Sequence, residues 1–383
     1  MDFGLTLEQE MLAQSVCSFA RRELADGALD RAHDPRYPWE VARALAKQSL
    51  LGLTINSSDG GGGATLTDAV IAIQEIAMIC PASADVIQAG NFGAIRTFSE
   101  YASAEQKQRY LPDLLAGRAL MALAMSEPDA GSAITQLRTT ARLERDGYVL
   151  NGIKCWSTNS ADATLFLVYV RFGPGSGGIG SVIVERGAAG LTIGPPQAFM
   201  SGEVWCELRF DDCLVSADNL LLGPGGFRGQ MAGLNIERIG NAARALALGR
   251  HAYVLARDHA KTRTQFGRTL SEFQGVQWKF AEMAVQLDAA QLLLYRAAAS
   301  ADSGLPSPYE SAVAKYAANL AGFQVANEAL QVMGAMGYST QTLVEYCVRR
   351  TRGWMIAGGS VEILKNRIAE QVFDRRFSQW LSS

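Results

Sequence analysis

The sequence predicts an α+β protein in three parts, helical at both ends with a β region between them. Apolar residues recur at about 3.6-residue spacing from Thr6 to about Arg118, and again from Phe227 onward. Between about Ala119 and Leu222 the period changes and short strand-like runs are bounded by glycines, prolines and aspartates. The length of 383 residues points the same way, being more than one small core accommodates. The expected parts are residues 1–118, 119–226 and 227–383.

In the first part, Leu7, Met11, Leu12, Val16, Phe19 and Ala20 mark a helix, and Trp39 to Leu51 repeats the pattern. The run from Ser57 to Gly63 reads as a loop, because four successive glycines do not hold a helix. No Lys-Ser/Thr follows it, so it is not a phosphate-binding P-loop. Ala69 to Ile79 and Ala84 to Ala102 return to helical spacing. The β region opens with a hairpin signal: Thr140 to Glu144 and Tyr148 to Asn151 flank Arg145-Asp146-Gly147. Thr164 to Val170, Ser181 to Val184 and Glu207 to Phe210 read as further strands. In the last part, Ser271-Glu272-Phe273-Gln274 reads as a capping box. Phe273, Val276, Phe280, Met283, Leu287, Ala290 and Leu294 follow at the three-and-four spacing of packed antiparallel helices. Ser307 and Pro308 open another helix, which Gly334 and Gly337 end.

Composition excludes several classes. Hydrophobic content of 48%, charged content of 19% and a net charge of -3 describe a globular protein with no affinity for nucleic acid or an anionic membrane. The sequence carries no signal peptide pattern and no apolar run that would span a bilayer. Cys17, Cys80, Cys155, Cys206, Cys213 and Cys347 form no CxxC pair and read as reduced thiols, so the expected location is cytoplasmic. His33, His251 and His259 do not cluster with them, which speaks against zinc; His251 and His259 read as surface residues.

Chemistry-bearing residues gather in a few stretches. Gly233 to Arg244 places a carboxylate, Glu237, next to a guanidinium, Arg238, in a helix whose Ile236, Ile239, Ala243 and Leu246 suit burial. Such a carboxylate is costly to bury unless paired or functional. A surface Glu-Arg pair is the plain alternative. Met125 to Ser132 contains a Gly-Ser turn that can present N–H groups to a ligand, or be only a turn. In Lys154-Cys155-Trp156-Ser157-Thr158-Asn159 the indole can stack on a flat cofactor, or sit in a sheet core.

Together these stretches resemble the acyl-CoA dehydrogenase family. Arg263-Thr264-Gln265-Phe266-Gly267, Gln331 to Tyr338 and Gly358-Gly359-Ser360-Val361-Glu362-Ile363 fit the same pattern, and the match covers nearly the whole chain. The resemblance implies an N-terminal α-helical domain, a middle β domain and a C-terminal four-helix bundle. It also implies a homodimer or homotetramer, FAD as cofactor, an acyl-CoA thioester as substrate and an electron-transferring flavoprotein as redox partner. By that resemblance Leu123, Met125, Ser126, Ser132, Trp156, Ser157 and Thr158 hold FAD, with Trp156 beside the flavin ring. Arg263, Phe266, Gln274, Gln331, Gly334 and Ala335 reach the FAD of a partner subunit, and Ser360 and Glu362 complete the set. Ser132, Asn235, Arg238, Gly358 and Gly359 correspond to substrate contacts.

Most of the family carry the base, a glutamate, where this chain has Gly358. A subset resembling isovaleryl-CoA and long-chain acyl-CoA dehydrogenases and crotonobetainyl-CoA reductase carries it on the helix that opens the C-terminal domain, where Glu237 stands. An absent carboxylate at one position and a present one at the other form a compensating pair, and Glu237 is the expected base. The N–H at the Gly358 position remains as the expected oxyanion donor. Ala357 stands where many relatives have Tyr, so a pocket that admits bulk near Cβ is expected. Two departures stand out: Gln197 to Gly202 replaces a Lys-x-Gly-x-Arg run, and Arg349-Arg350 replaces Arg-Asp. The other readings are an acyl group on a carrier protein, a flavin-binding protein of this fold without dehydrogenase activity, and a flavin oxidase or monooxygenase.

Overall fold

Thr6 begins the first helix, Leu7–Glu23, with its hydroxyl on the Gln9 N–H and the Gln9 side chain returning to the Thr6 N–H. This computed structural model of the chain describes residues 4–145, 147–301 and 304–377. Met1 to Phe3 and Asp146, at the expected hairpin turn, lie outside the described residues.

The chain divides into two compact units that do not follow its order. One comprises His33–Ala69 and Asp85–Ile236; the other comprises Met1–Ala32, Val70–Ala84 and Glu237–Ser383.

In the first unit an eight-stranded sheet carries the architecture. Its centre is the antiparallel pair Leu165–Arg171 and Ile179–Glu185, in register from Leu165 opposite Glu185 to Arg171 opposite Ile179. Met121–Ala124 runs parallel to Leu165–Arg171 on its other side. The hairpin Thr140–Glu144 and Gly147–Lys154 forms with the turn where the sequence placed it, Glu144 facing Gly147. Leu208–Val215 continues the sheet beyond it. Side chains alternate faces along a strand, and here both faces are covered. Leu165, Leu167 and Tyr169 pack with Phe98, Tyr110, Leu111 and Leu114 of the helices Ala94–Tyr101 and Ala104–Leu115. Phe166, Val168 and Val170 pack with Val182, Val184, Leu208 and Phe210. The helical stretch expected from Ala84 to Ala102 is two helices, Ala84–Asn91 and Ala94–Tyr101, because Gly93 breaks it.

The second unit is helical. Its long members are Phe227–Thr262, which begins in the first unit, Gln274–Ala299 and Pro308–Met333. Leu343–Trp354 and Val361–Val372 close the described chain. Ile239, Ala243 and Leu246 are fully buried, as are Leu294, Val325 and Ala326. Ser307 caps the Pro308 helix through the Glu310 N–H. The capping box before Gln274 differs from the expected one. Thr269 and Glu272 form it, with the Thr269 N–H donating to Glu272 at 2.7 Å, because a short turn at Leu270–Glu272 precedes the helix. His251 is buried rather than on the surface, with Nδ1 2.9 Å from the Met78 carbonyl oxygen. Burial lowers its pKa, opposed by that bond.

Two helices cross at glycine. A Cβ at Gly322 would lie 2.3 Å from the Ala245 carbonyl oxygen, and one at Gly249 would lie 2.8 Å from the Gly322 Cα. The backbones meet where a methyl group has no room. Gly322→Ala is therefore expected to destabilise by about 1–3 kcal/mol through overpacking, read as a lower midpoint in denaturant unfolding.

Candidate active site

Two buried lysines tie the backbones of the candidate segments. In the first unit Lys154 is fully buried and its Nζ donates to the Glu127 carboxylate at 2.8 Å and to the Met125 carbonyl at 3.0 Å. Glu127 also accepts from the Thr139 N–H at 2.9 Å and the Arg138 N–H at 2.6 Å. Burial works to raise the Glu127 carboxyl, but the Lys154 ammonium and these hydrogen bonds outweigh it and hold it low. Burial pushes Lys154 down to about 8, against the pull of Glu127. Two further bonds knit the strand ends: Cys155 N–H to the Ser126 carbonyl at 3.0 Å, and Ser157 Oγ to the Leu123 carbonyl at 2.7 Å. These bonds bring Leu123, Met125, Ser126 and Ser157 together, and Ser157 itself is buried.

On this platform Trp156 sits with φ of +59° and 55% of its surface exposed. A bulky residue in the left-handed region is held there at a cost, and such strain gathers at ligand sites. Trp205 lies against it, ring centroids 4.2 Å apart, and Phe199 lies 6.1 Å from Trp156. Thr158 is exposed and bridges in backbone to Trp205. In the sequence Gln197 to Gly202 stands out only as a departure; Phe199 within that loop and Trp205 three residues after it were the available signal. An exposed aromatic surface with a neighbouring hydroxyl fits a flat heteroaromatic ring such as a flavin. Ser132 is exposed in the turn after Glu127, and Asn235 is buried on the long helix.

The second unit gathers Glu237, Arg238, Gly358 and Gly359. Gly358 and Gly359 have φ of +69° and +93°, in the turn between Trp354 and the helix that Ser360 caps. Arg238 Nε donates to the Gly358 carbonyl at 3.2 Å. Burial pushes the Arg238 guanidinium down to about 10, with Arg367 adding repulsion and Glu237 opposing. Glu237 is partly exposed. Burial raises its carboxyl, while Arg244, Lys315 and Arg238 pull it down; burial wins. A Cβ at Gly358 would meet only Lys315 Cε, at 3.5 Å.

Other predicted residues sit apart on exposed surface of the same unit. Arg263 and Phe266 flank and cap a small hairpin, Thr264–Gln265 with Arg268–Thr269; Phe266 is 94% exposed at φ +53°. Gln274 opens the next helix, and Gln331, Gly334 and Ala335 are exposed where the Pro308 helix ends. Glu362 lies exposed in the first turn of the last helix, where backbone N–H and Ser360 bonds lower its carboxyl.

A helical, β, helical chain with an exposed aromatic group on its β region and a buried cationic helix-turn site fits a flavin-dependent oxidoreductase. The profile of the acyl-CoA dehydrogenase N-terminal domain matches residues 6–118, the middle domain 122–213 and the C-terminal domain 224–373. A 3-sulfinopropanoyl-CoA desulfinase of Paraburkholderia xenovorans is 37% identical, covering 98% of this chain and 99% of its own length. An acryloyl-CoA reductase (NADH) of Anaerotignum propionicum is 37% identical over 98% of this chain and 97% of its own. The butyryl-CoA dehydrogenase structure from Megasphaera elsdenii superposes with a TM-score of 0.91 at 30% identity, covering 97% of this chain and 100% of that one. The chain belongs to the acyl-CoA dehydrogenase family and is an FAD-dependent oxidoreductase. No helix among the described residues is long and apolar enough to cross a membrane, and no metal-ligand cluster occurs among them.

Glu127→Gln would leave the Lys154 ammonium buried without its carboxylate. The expected cost is about 3–5 kcal/mol in denaturant unfolding. The wild-type contribution of Glu127 is present above the usual carboxylate range and is lost as pH falls through its depressed folded pKa, so the gap between the two proteins should narrow in acid.

Proposed function

We propose that this chain catalyses the α,β-dehydrogenation of an acyl-CoA thioester, or the reverse reduction, with Glu237 as base. One observation carries the reading. Gly358 offers no carboxylate, while Glu237, one residue before the Arg238 that binds the Gly358 carbonyl, offers one on an otherwise buried helix. Glu237 would take the Cα proton, and in reduction return it. Bound FAD supplies the acceptor for the hydride that leaves Cβ with its electron pair. The Gly358 N–H would hold the thioester oxygen as charge develops there, which is what makes a weak Cα acid removable. Trp156 and Thr158 would orient the flavin, with Leu123, Met125, Ser126, Ser132 and Ser157 around it, Ser132 and Asn235 also lining the thioester's path. Electrons would pass to an electron-transferring flavoprotein.

An oligomer is part of the proposal. Trp278, Val285 and Leu292 recur every two turns of the Gln274 helix and are 60%, 70% and 47% exposed. Such a stripe, together with Phe266, supports subunit pairing. It would bring Arg263, Phe266, Gln274, Gln331, Gly334 and Ala335 to a partner's FAD, with Ser360 and Glu362 completing the site. Ala357 and Gly358 leave volume near the reacting carbons, which supports a thioester branched or bulky at Cβ.

The test is an anaerobic titration of the yellow protein with straight, branched, trimethylammonium-bearing and 3-sulfinopropanoyl thioesters of CoA, following the flavin band. Branched thioesters are expected to bleach it and Glu237→Gln to slow bleaching by at least about 10³-fold. Bleaching by Glu237→Gln at the wild-type rate would sink the base assignment. A preference for butyryl- or octanoyl-CoA over branched chains would sink the substrate class. Sulfite release from the 3-sulfinopropanoyl ester, with no bleaching by any other, would favour the reaction in the name of the 37% identical desulfinase. Because a base works deprotonated and burial raises Glu237, the bleaching rate should fall on the acid side at a pH above the usual carboxylate range.

A further inference from the structure

Lys315 lies on the Pro308–Met333 helix and is fully buried. Its Nζ donates to two backbone carbonyls, Trp354 at 3.1 Å and Gly359 at 2.9 Å. These residues bracket the turn that carries Gly358. Asn319, one helical turn on, donates to the same Trp354 carbonyl at 2.6 Å and to Asn241 Oδ1 at 2.9 Å. Two guanidiniums lie over the Trp354 indole, Arg244 at 4.3 Å and Arg350 at 4.9 Å from the ring centroid. Arg238 holds the Gly358 carbonyl from the long helix. A turn with two successive positive φ values is soft when it is built of glycine. Here its ends and middle are fixed by side chains of two helices.

We infer that Lys315 is a positioning residue for the thioester: by bonding the carbonyls of Trp354 and Gly359 it holds the Gly358–Gly359 turn so that the Gly358 N–H meets the thioester oxygen. The inference rests on the reading of Glu237 and Gly358 given above. A buried amine is an expensive way to hold a turn, and burial with repulsion from Arg238 and Arg244 pushes Lys315 down to about 7 against the attraction of Glu237. Both its charged and its neutral form keep the two N–H groups that two carbonyls require. The ammonium stem also passes beside Gly358, where a Cβ would meet Lys315 Cε. An aliphatic residue would fill that volume and leave both carbonyls without this donor.

The test compares the FAD-loaded wild type with Lys315→Met and Lys315→Gln, using isovaleryl-CoA labelled with ¹³C at the thioester carbonyl. Two readouts are taken. Hydrogen exchange of the peptide spanning 354–360 reports on the turn itself. The carbonyl stretch of the bound thioester reports on the oxyanion hydrogen bond. Lys315→Met is expected to raise exchange in that peptide about tenfold. It should also return the carbonyl band toward its solution position and slow flavin bleaching by about 10²-fold, with the dissociation constant of the thioester little changed. Lys315→Gln, which keeps a donor on a shorter stem, should fall between, and it carries the test if the methionine variant does not retain FAD. Unchanged exchange protection and an unchanged band in the variants would overturn the inference. A wild-type band that does not move on binding would overturn it too, and would place the failure in the oxyanion reading, since exchange still reports the latch separately.

Discussion

A lysine ammonium removed from water must find acceptors, and this constraint organises both units. Lys154 takes the Glu127 carboxylate and the Met125 carbonyl; Lys315 takes the carbonyls of Trp354 and Gly359. Each lysine lies next to a candidate ligand segment and bonds at least one of its backbone carbonyls, so each helps to fix a loop. Desolvation of an ion costs several kcal/mol, and only a full set of partners offsets it. The Gly358–Gly359 turn and the left-handed Trp156 each stand beside such ties, and Trp156 is packed by Trp205 as well.

The long helix Phe227–Thr262 shows the opposing forces at one residue. Its alanines and isoleucines are buried, and Glu237 sits among them. Arg244, Lys315 and Arg238 all pull its carboxyl down, yet burial keeps it raised. A carboxylate in that balance holds a proton more readily than one in water, which suits proton transfer at carbon.

Relatives of equal identity carry names for different reactions, a desulfinase and a reductase at 37%. The helical and β framework is common to such chains, and the chemistry is set by a few positions in it. In the reading proposed above, those positions are Glu237, Gly358 and Trp156, with Phe199 and Trp205 against the Trp156 ring. Phe199, in the segment that departs from the family's Lys-x-Gly-x-Arg run, and Trp205, just after it, set rings beside Trp156.

The α+β order was legible because periodicity reports directly which face of an element is buried. Leu165 to Val170 is a short continuous apolar run and Ile236 to Leu246 recurs every three or four residues, and both elements formed where that pattern lay. The segments around Leu123 to Ser126 and Trp156 to Thr158 stood out in the sequence by residue type, and the fold brings them together. Tertiary structure alone decided the rest. Nothing in the local sequence marks Lys315, Lys154 or His251 as buried, since each stands in a stretch that would suit solvent equally well. Their burial follows from partners 39 and 27 residues away for the lysines, and 173 for the histidine. Gly322 looked like any helix glycine until Ala245 was packed against it. Periodicity describes one element at a time; the choice of acceptor for a buried charge and the room for a single methyl are properties of two elements in contact.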